Sequence, residues 1–582
     1  MPSPKDAGEE KPSEGVSPLT CQNKSHPLDA FFISYLCRFN FTVKKLHLLG
    51  LSALSGILLS ISWPSIGDFP FVLFVALVPM LFLENEIARS GKRLFWYSYL
   101  GFVIWNFATS WWIYCVSEPL ATKFFTAGMA ILCNALFMNC IFWLFHKTKK
   151  HVGAKQGYTG LVIYWISWEW FHMQWDLSWP WFTLGNGFAN EVKWIQWYEY
   201  TGVFGGSLWV LLSNILLFYL LKNYQRLKKK KKVFVWLVAA HIDLILFPIF
   251  FSWWAYGTYE EKVNPINVVV VQPNIDPYNA KFNYKESGNQ LLEMLNLAEG
   301  TITDSTDYVV FPETAIARSL WEDKIEKSMP YGVMKDFIDK HPKIKIVIGI
   351  SSIKFYDEES ESTETSRYNE KGNYWYDHFN TAMQVDNSDN TQLYHKSKLV
   401  IGVERMPYPA LFGFLEKFAI DLGGTTGSLG TQKERAVFKA ENSLAKIAPV
   451  ICYESIYGEF VNEYIHKGAN VIFIITNDGW WDDSPGYHQH MAYARLRAIE
   501  SRRSIARSAN TGISCFINQR GDVFLPTEWW VPAAISQNIN LNDEVTFYTA
   551  NGDYIARISG FVSILLILLT IVRKKSKKEL LT

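Results

Sequence analysis

The sequence predicts two fold classes joined in one chain: an α-helical membrane domain of eight transmembrane helices and an α/β domain with helix-covered sheet. Three observations predict it. Eight long apolar runs punctuate the chain, and the one long interval between them, 262–553, alternates strand-like and helix-like segments. Charge divides along the same line. Residues 262–553 hold 28 Lys+Arg and 38 Asp+Glu, a balance of −10, which leaves 28 and 17, or +11, for everything else. The net charge of +1 and mean hydropathy of +0.01 are therefore averages over unlike halves. With 49% hydrophobic and 19% charged residues, the chain is not a disordered polymer, a disulfide-dense scaffold or a strongly basic nucleic-acid binder.

Residues 1–28 are polar and read as a disordered tail on the cytoplasmic side rather than a signal peptide. The membrane domain, 29–260, carries seven apolar segments at about 46–63, 68–84, 94–114, 121–145, 157–173, 203–221 and 233–254. An eighth follows at 555–572, then a basic tail, 573–582. A span takes roughly 20 apolar residues, which leaves the second and fifth segments short. With the N-terminus inside, the inner loops collect Arg89, Lys92 and Arg93, then Lys147, Lys149, Lys150 and Lys155, then seven Lys/Arg over 222–232, and Arg573 to Lys578. The outer loops hold only Lys123 and Lys193. That asymmetry is the positive-inside pattern, and it sets the large domain, 261–553, on the outer face. The outer loop 174–202 is crowded with Trp175, Trp179, Trp181, Trp194, Trp197, Tyr198 and Tyr200. It reads either as an interfacial belt or as the wall of a lipid-binding mouth.

In the outer domain Ile266–Gln272 is a β-branched run suited to a strand buried on both faces. A helical pattern follows at 285–299, and strand runs recur at 308–311, 345–350, 381–385, 446–451 and 471–476. A long helix is expected over 487–507, then a strand at 513–517 and a Gly-Asp turn at Gly521. The acidic stretch 356–375 lacks periodicity and reads as an exposed insertion.

Three segments place a reactive group just past an apolar strand, where α/β domains form their sites. These are Phe311-Pro312-Glu313-Thr314, Tyr394-His395-Lys396-Ser397-Lys398 with Glu404 beyond it, and Ile451-Cys452-Tyr453-Glu454. A free thiol is mostly protonated at neutral pH, a carboxylate can take its proton, and an ammonium can stabilise an oxyanion. Together Glu313, Lys396 and Cys452 suit acyl transfer through a thioester. Other readings stay open. Cys452 and Cys515 could pair in an oxidising compartment, and His395, His488 and His490 could suggest a metal, though no supporting ligand spacing accompanies them.

These motifs, with Thr476-Asn-Asp-Gly-Trp-Trp481 and His490-Met-Ala-Tyr-Ala-Arg-Leu-Arg-Ala-Ile-Glu500, resemble the nitrilase-type carbon–nitrogen hydrolase superfamily. The surrounding helices, with Trp179-Pro-Trp-Phe-Thr-Leu-Gly185, resemble its membrane branch, the apolipoprotein N-acyltransferases of bacterial envelopes. The resemblance implies an αββα sandwich, a Glu313–Lys396–Cys452 triad, and no metal or cofactor. It implies a phospholipid acyl donor, phosphatidylethanolamine being usual, and diacylglyceryl-modified apolipoproteins as acceptors, at the bilayer of the inner membrane with the catalytic domain periplasmic. Glu404 would support the triad lysine, Asn380 resembles a family asparagine near the site, and Tyr453, Glu454 and Trp480 would serve loop or pocket roles. Phe282 stands where the family has Trp, and the 356–375 insertion is long. Two further readings are a membrane-tethered amidase acting on a small amide and a non-catalytic lipid-binding scaffold.

Overall fold

The structure, a computed structural model, describes residues 27–117, 119–282, 287–388, 390–408 and 428–579. Most of the first expected tail, 1–26, and the last three residues of the other lie outside that set. Each expected apolar run is helical: Pro27–Ile61, Val78–Ser90 with a short 3₁₀ turn before it, Phe95–Ser110, Leu120–His151, Ala154–Phe171, Val203–Lys222, Lys231–Thr258 and Tyr554–Glu579. Six among the described residues are long and apolar enough to cross a membrane, counting Pro70–Ser90 as one. Phe95–Ser110 and Ala154–Phe171 fall outside that group, so six of the eight expected spans have the length and apolarity to cross a membrane.

Two sheets form the α/β domain. The first has parallel strands Pro265–Gln272, Thr306–Val310 and Lys345–Tyr356 at its centre, and Ala533–Asn540 runs antiparallel along one edge. On the other side Tyr374–Val385 pairs antiparallel with Lys345–Tyr356 and carries Gln392–His395. The second sheet is built on parallel strands Lys446–Ile451, Val471–Thr476 and Ile505–Ala509. The valine run explains how the layers stack. Val269 and Val271 pack with Leu291, Met294, Met334 and Ile338 of two helices, while Val268 and Val270 are fully buried on the opposite face. On that side the sheets meet: the rings of Tyr308 and Phe473 lie 5.5 Å apart, and the Ser508 hydroxyl donates to the Val271 carbonyl at 2.8 Å. Helices Gly458–His466 and Pro485–Ser501 accompany the second sheet, giving αββα layering.

One expectation is corrected. The long helix stops at Ser501, where Arg502 takes a left-handed φ of 50°, and Ile505–Ala509 is a buried central strand. The 356–375 stretch is largely exposed, as expected, and forms a folded hairpin arm. Arg367–Asn369 pairs with Tyr374–Tyr376, and the hydroxyls of Thr363, Thr365 and Ser366 all donate to the Asp377 carboxylate at 2.8–2.9 Å.

Part of the aromatic loop 174–202 packs against the α/β domain. Trp181 is buried and donates its indole N–H to Gln489 Oε1 at 2.6 Å, and Gln489 in turn donates to the carbonyls of Pro64 and Thr109. Trp63 donates to the Tyr493 hydroxyl, which donates to the Trp181 carbonyl. These contacts seat the helix Pro485–Ser501 directly on the membrane half.

Candidate active site

Glu313, Lys396 and Cys452 come from three strand ends and all are buried, at 5%, 1% and 7% exposure. Glu313 sits on the turn after Thr306–Val310. The turn closes tightly over Gly349, where an added Cβ would come within 2.6 Å of the Glu313 Cα, so only glycine fits. Lys396 follows Gln392–His395, and its N–H donates to the Asn380 carbonyl at 2.8 Å. Cys452 ends Lys446–Ile451 with a φ of 51°, a left-handed conformation that few non-glycine residues adopt. Its carbonyl accepts from the Ser455 hydroxyl at 2.8 Å, with His490 Nε2 at 3.2 Å.

Side chains converge on Glu313. Lys396 Nζ donates to Glu313 Oε1 and to Glu404 Oε1, each at 2.8 Å, and Asn380 Nδ2 donates to the same two oxygens at 2.8 and 3.1 Å. The Asn477 N–H donates to Glu313 Oε2 at 3.1 Å. Burial works against the Glu313 charge, but Lys396, Lys281 and Asn380 hold its carboxyl below the ordinary glutamate value. Burial also opposes charge on Lys396, yet Glu313 and Glu404 keep its ammonium well above the usual lysine value. Burial and then Glu313 push the Cys452 thiol up, against the pull of Lys396. The site therefore sets a carboxylate held in its ionised form beside a thiol held in its protonated form, charge states that suit a base and a nucleophile.

The other expected residues divide by role. Glu404 and Asn380 belong to the ionic cluster. Glu454 is a brace: fully buried, it accepts from the Tyr394 hydroxyl, the Ser397 N–H and the Ile451 N–H at 2.7–2.9 Å. It thereby ties the lysine loop to the cysteine strand. Tyr453 donates to the Ser178 carbonyl at 3.1 Å, joining the neighbour of Cys452 to the 174–202 loop of the membrane half. Phe282 stacks on Trp480, with ring centroids 6.5 Å apart and a 22° interplanar angle. Of the open alternatives, the disulfide is not formed, since Cys452 and Cys515 are both free. His490 pairs with Asp478 and His395 with Glu322.

Sequence reasoning missed two features. One is a buried network beneath Cys452, in which Asp478 takes His490 Nδ1 at 2.8 Å and Arg507 Nη2 at 2.6 Å. The other is Lys281, buried at 3% exposure, whose Nζ donates to the Glu313 carbonyl at 2.9 Å. Asp478 and His490 lie in motif segments, Arg507 at the end of the expected helix and Lys281 past the first strand, none with a signal for burial.

The comparisons agree with this architecture. The apolipoprotein N-acyltransferase N-terminal domain family matches residues 55–216, and the carbon–nitrogen hydrolase family matches 267–546. An apolipoprotein N-acyltransferase of Chlorobaculum tepidum is 29% identical over 90% of this chain and 97% of its own length. Apolipoprotein N-acyltransferase 1 of Treponema denticola is 25% identical over 91% and 97%. Among solved structures, a nitrilase-superfamily amidase from Nesterenkonia, 11% identical, covers 51% of this chain and 97% of its own, with a TM-score of 0.34. With both domain families matched in tandem and full-length relatives on either count, the chain belongs to the apolipoprotein N-acyltransferase family, within the nitrilase superfamily.

Proposed function

We propose that the protein N-acylates lipoproteins, moving an acyl chain from a phospholipid through a Cys452 thioester to the α-amino group of a diacylglyceryl-cysteine. The observation that carries this reading is the buried Glu313–Lys396 pair beside a protonated Cys452, whose neighbour Tyr453 meets Trp179 of the membrane half with ring centroids 6.4 Å apart. Glu313 takes the thiol proton as Sγ attacks the ester carbonyl, and the carbonyl electron pair moves to oxygen beside Lys396. Collapse breaks the C–O bond, and the leaving lysophospholipid alkoxide takes the proton from Glu313. The lipoprotein amine then attacks the thioester. Its proton passes to Glu313, the amide forms, and the thiolate leaves to recover its proton.

Both substrates are anchored in a bilayer, which suits a hydrolase-type domain fastened to a multi-pass anchor. Basic residues concentrated in 222–232 and 573–578 support cytoplasmic termini and a periplasmic catalytic domain at the inner membrane. Phosphatidylethanolamine is the expected donor.

The test incubates the full-length protein with phosphatidylethanolamine vesicles and follows Cys452 by mass spectrometry. A hydroxylamine-sensitive acyl adduct that passes to a diacylglyceryl lipopeptide amine is expected. Absence of the adduct would refute the donor step, and an adduct that only water discharges would point to an amidase.

A further inference from the structure

The acyl-transfer reading uses one lysine, yet two are buried at the site. Lys281 is held there by its loop. Its turn is closed by Asp276, whose carbonyl accepts the Ala280 and Lys281 N–H groups and whose carboxylate accepts those of Tyr278 and Asn279. Gln290 fixes the Ala280 carbonyl from the following helix, and the Tyr278 hydroxyl donates to the Trp480 carbonyl. The result directs Nζ to the main chain of Glu313. A buried ammonium that donates to a neutral carbonyl is costly unless nearby anions compensate it. Those anions are the triad's own.

Charge counting shows what Lys281 does there. Lys396 bridges two carboxylates, Glu313 and Glu404, so these three groups carry a surplus negative charge. Asp276 lies on the turn and is spent on its N–H groups, Asp478 is neutralised by Arg507 and His490, and Glu454 is answered by Arg435 through the Tyr394 hydroxyl. Adding Lys281 brings the cluster around Cys452 to zero. Resting on the proposed reaction, we infer that Lys281 is a positioning residue that balances this charge, acting through Glu313 and Cys452. When the thiol proton moves to Glu313 and the substrate carbonyl becomes an oxyanion, the negative charges are the oxyanion and Glu404, matched by Lys396 and Lys281. Without Lys281 the same intermediate carries an uncompensated charge in a buried site, where it costs far more than in water. Burial lowers the Lys281 ammonium to about 8, with Glu313 and Cys452 raising it and Lys396 lowering it further, so its charge is lost in an accessible alkaline range.

The experiment measures the rate of Cys452 acylation from phosphatidylethanolamine vesicles, without acceptor, across pH 6 to 10. It uses the full-length wild type, Lys281→Met and Lys281→Arg. Lys281→Met is expected to acylate about 10²-fold more slowly at neutral pH with unchanged half-saturating lipid. The wild-type rate should decline above pH about 8, in step with loss of the Lys281 charge. Lys281→Arg should keep most of the rate and move that decline upward, because a guanidinium stays charged. This variant retains the test should Lys281→Met fold poorly. An unchanged rate in the Met variant, or an alkaline decline that stays in place in the Arg variant, would overturn the inference while leaving the reaction standing. No adduct in the wild type would refute the reaction and this inference together.

Discussion

Two buried ionic clusters meet at Cys452, and they are built in opposite ways. On the side of the first sheet, two carboxylates share Lys396, and Asn380 Oδ1 is buried with no hydrogen-bond partner among the described residues. On the side of the second, Asp478 is closed: Oδ1 accepts from Thr476 and meets His490, and Oδ2 meets Arg507. The first cluster faces the thiol. The second reaches Cys452 at its carbonyl, by way of His490, and at its thiol through Thr476, whose hydroxyl also donates to Asp478. A group that must take up and return a proton cannot be fully satisfied, whereas a group that only fixes a backbone must be. The strained turn at Cys452 is affordable because the closed cluster lies beneath it.

The sharpest way to break this contrast is to disable the open cluster without unfolding it. Glu313→Gln keeps the shape and leaves Lys396 paired with Glu404, but an amide cannot accept the thiol proton. Cys452 acylation should fall by on the order of 10⁴-fold, the upper range for loss of a positioned base, with a lowered thermal midpoint because two buried lysines then share the single carboxylate of Glu404. Acylation within tenfold of wild type would show that another group is the base.

How far the sequence reveals each cluster follows from the same contrast. Glu313 and Cys452 are legible because each follows an apolar strand directly, and Lys396 because it stands in the Tyr394–Lys398 motif. The fold's layering is legible from runs such as Val268–Val271 and Val471–Thr476, which only a strand buried on both faces explains. The closed cluster is not. Arg503 and Arg507 look like surface residues on a continuing helix, so Ile505–Ala509 reads as helical. Its strand character comes from pairing with Ile472–Thr476, far away in sequence. Lys281 is hidden for a related reason: its burial depends on Glu313, 32 positions along. The polar edge strand Ala533–Asn540 has no alternation to find and is fixed by its pairing with Pro265–Gln272.

The second perturbation opens the closed cluster. Burial alone would raise the Asp478 carboxyl, but Arg507 and His490 hold it well below the ordinary carboxylate range. Such a depressed group contributes stability above its unfolded value, about 3.9, and that contribution is lost as pH falls toward the folded value. Asp478→Asn should therefore cost about 3–5 kcal/mol at neutral pH, since it leaves Arg507 buried without its counter-charge. The variant should also lack part of the wild-type loss of stability in acid. Denaturant melts at pH 7 and pH 3 check both points, and equal stability of the two proteins at pH 7 would contradict the structural role.

The smallest perturbation tests the link between the clusters. The Ser455 hydroxyl donates to the Cys452 carbonyl and lies 3.1 Å from His490 Nε2, so it stands between the fixed network and the nucleophile's backbone. In Ser455→Ala, His490 keeps its own contact with that carbonyl at 3.2 Å, and no charge is left unpaired. The loss should be one neutral hydrogen bond, about 1 kcal/mol of stability. Acylation should fall less than tenfold, because the left-handed turn retains one of its two anchors. A loss as large as that of Glu313→Gln, in a variant that melts normally, would mean the hydroxyl does more than hold a carbonyl. The division between an open, reactive cluster and a closed, positioning one would then fail at the atom where the two are joined.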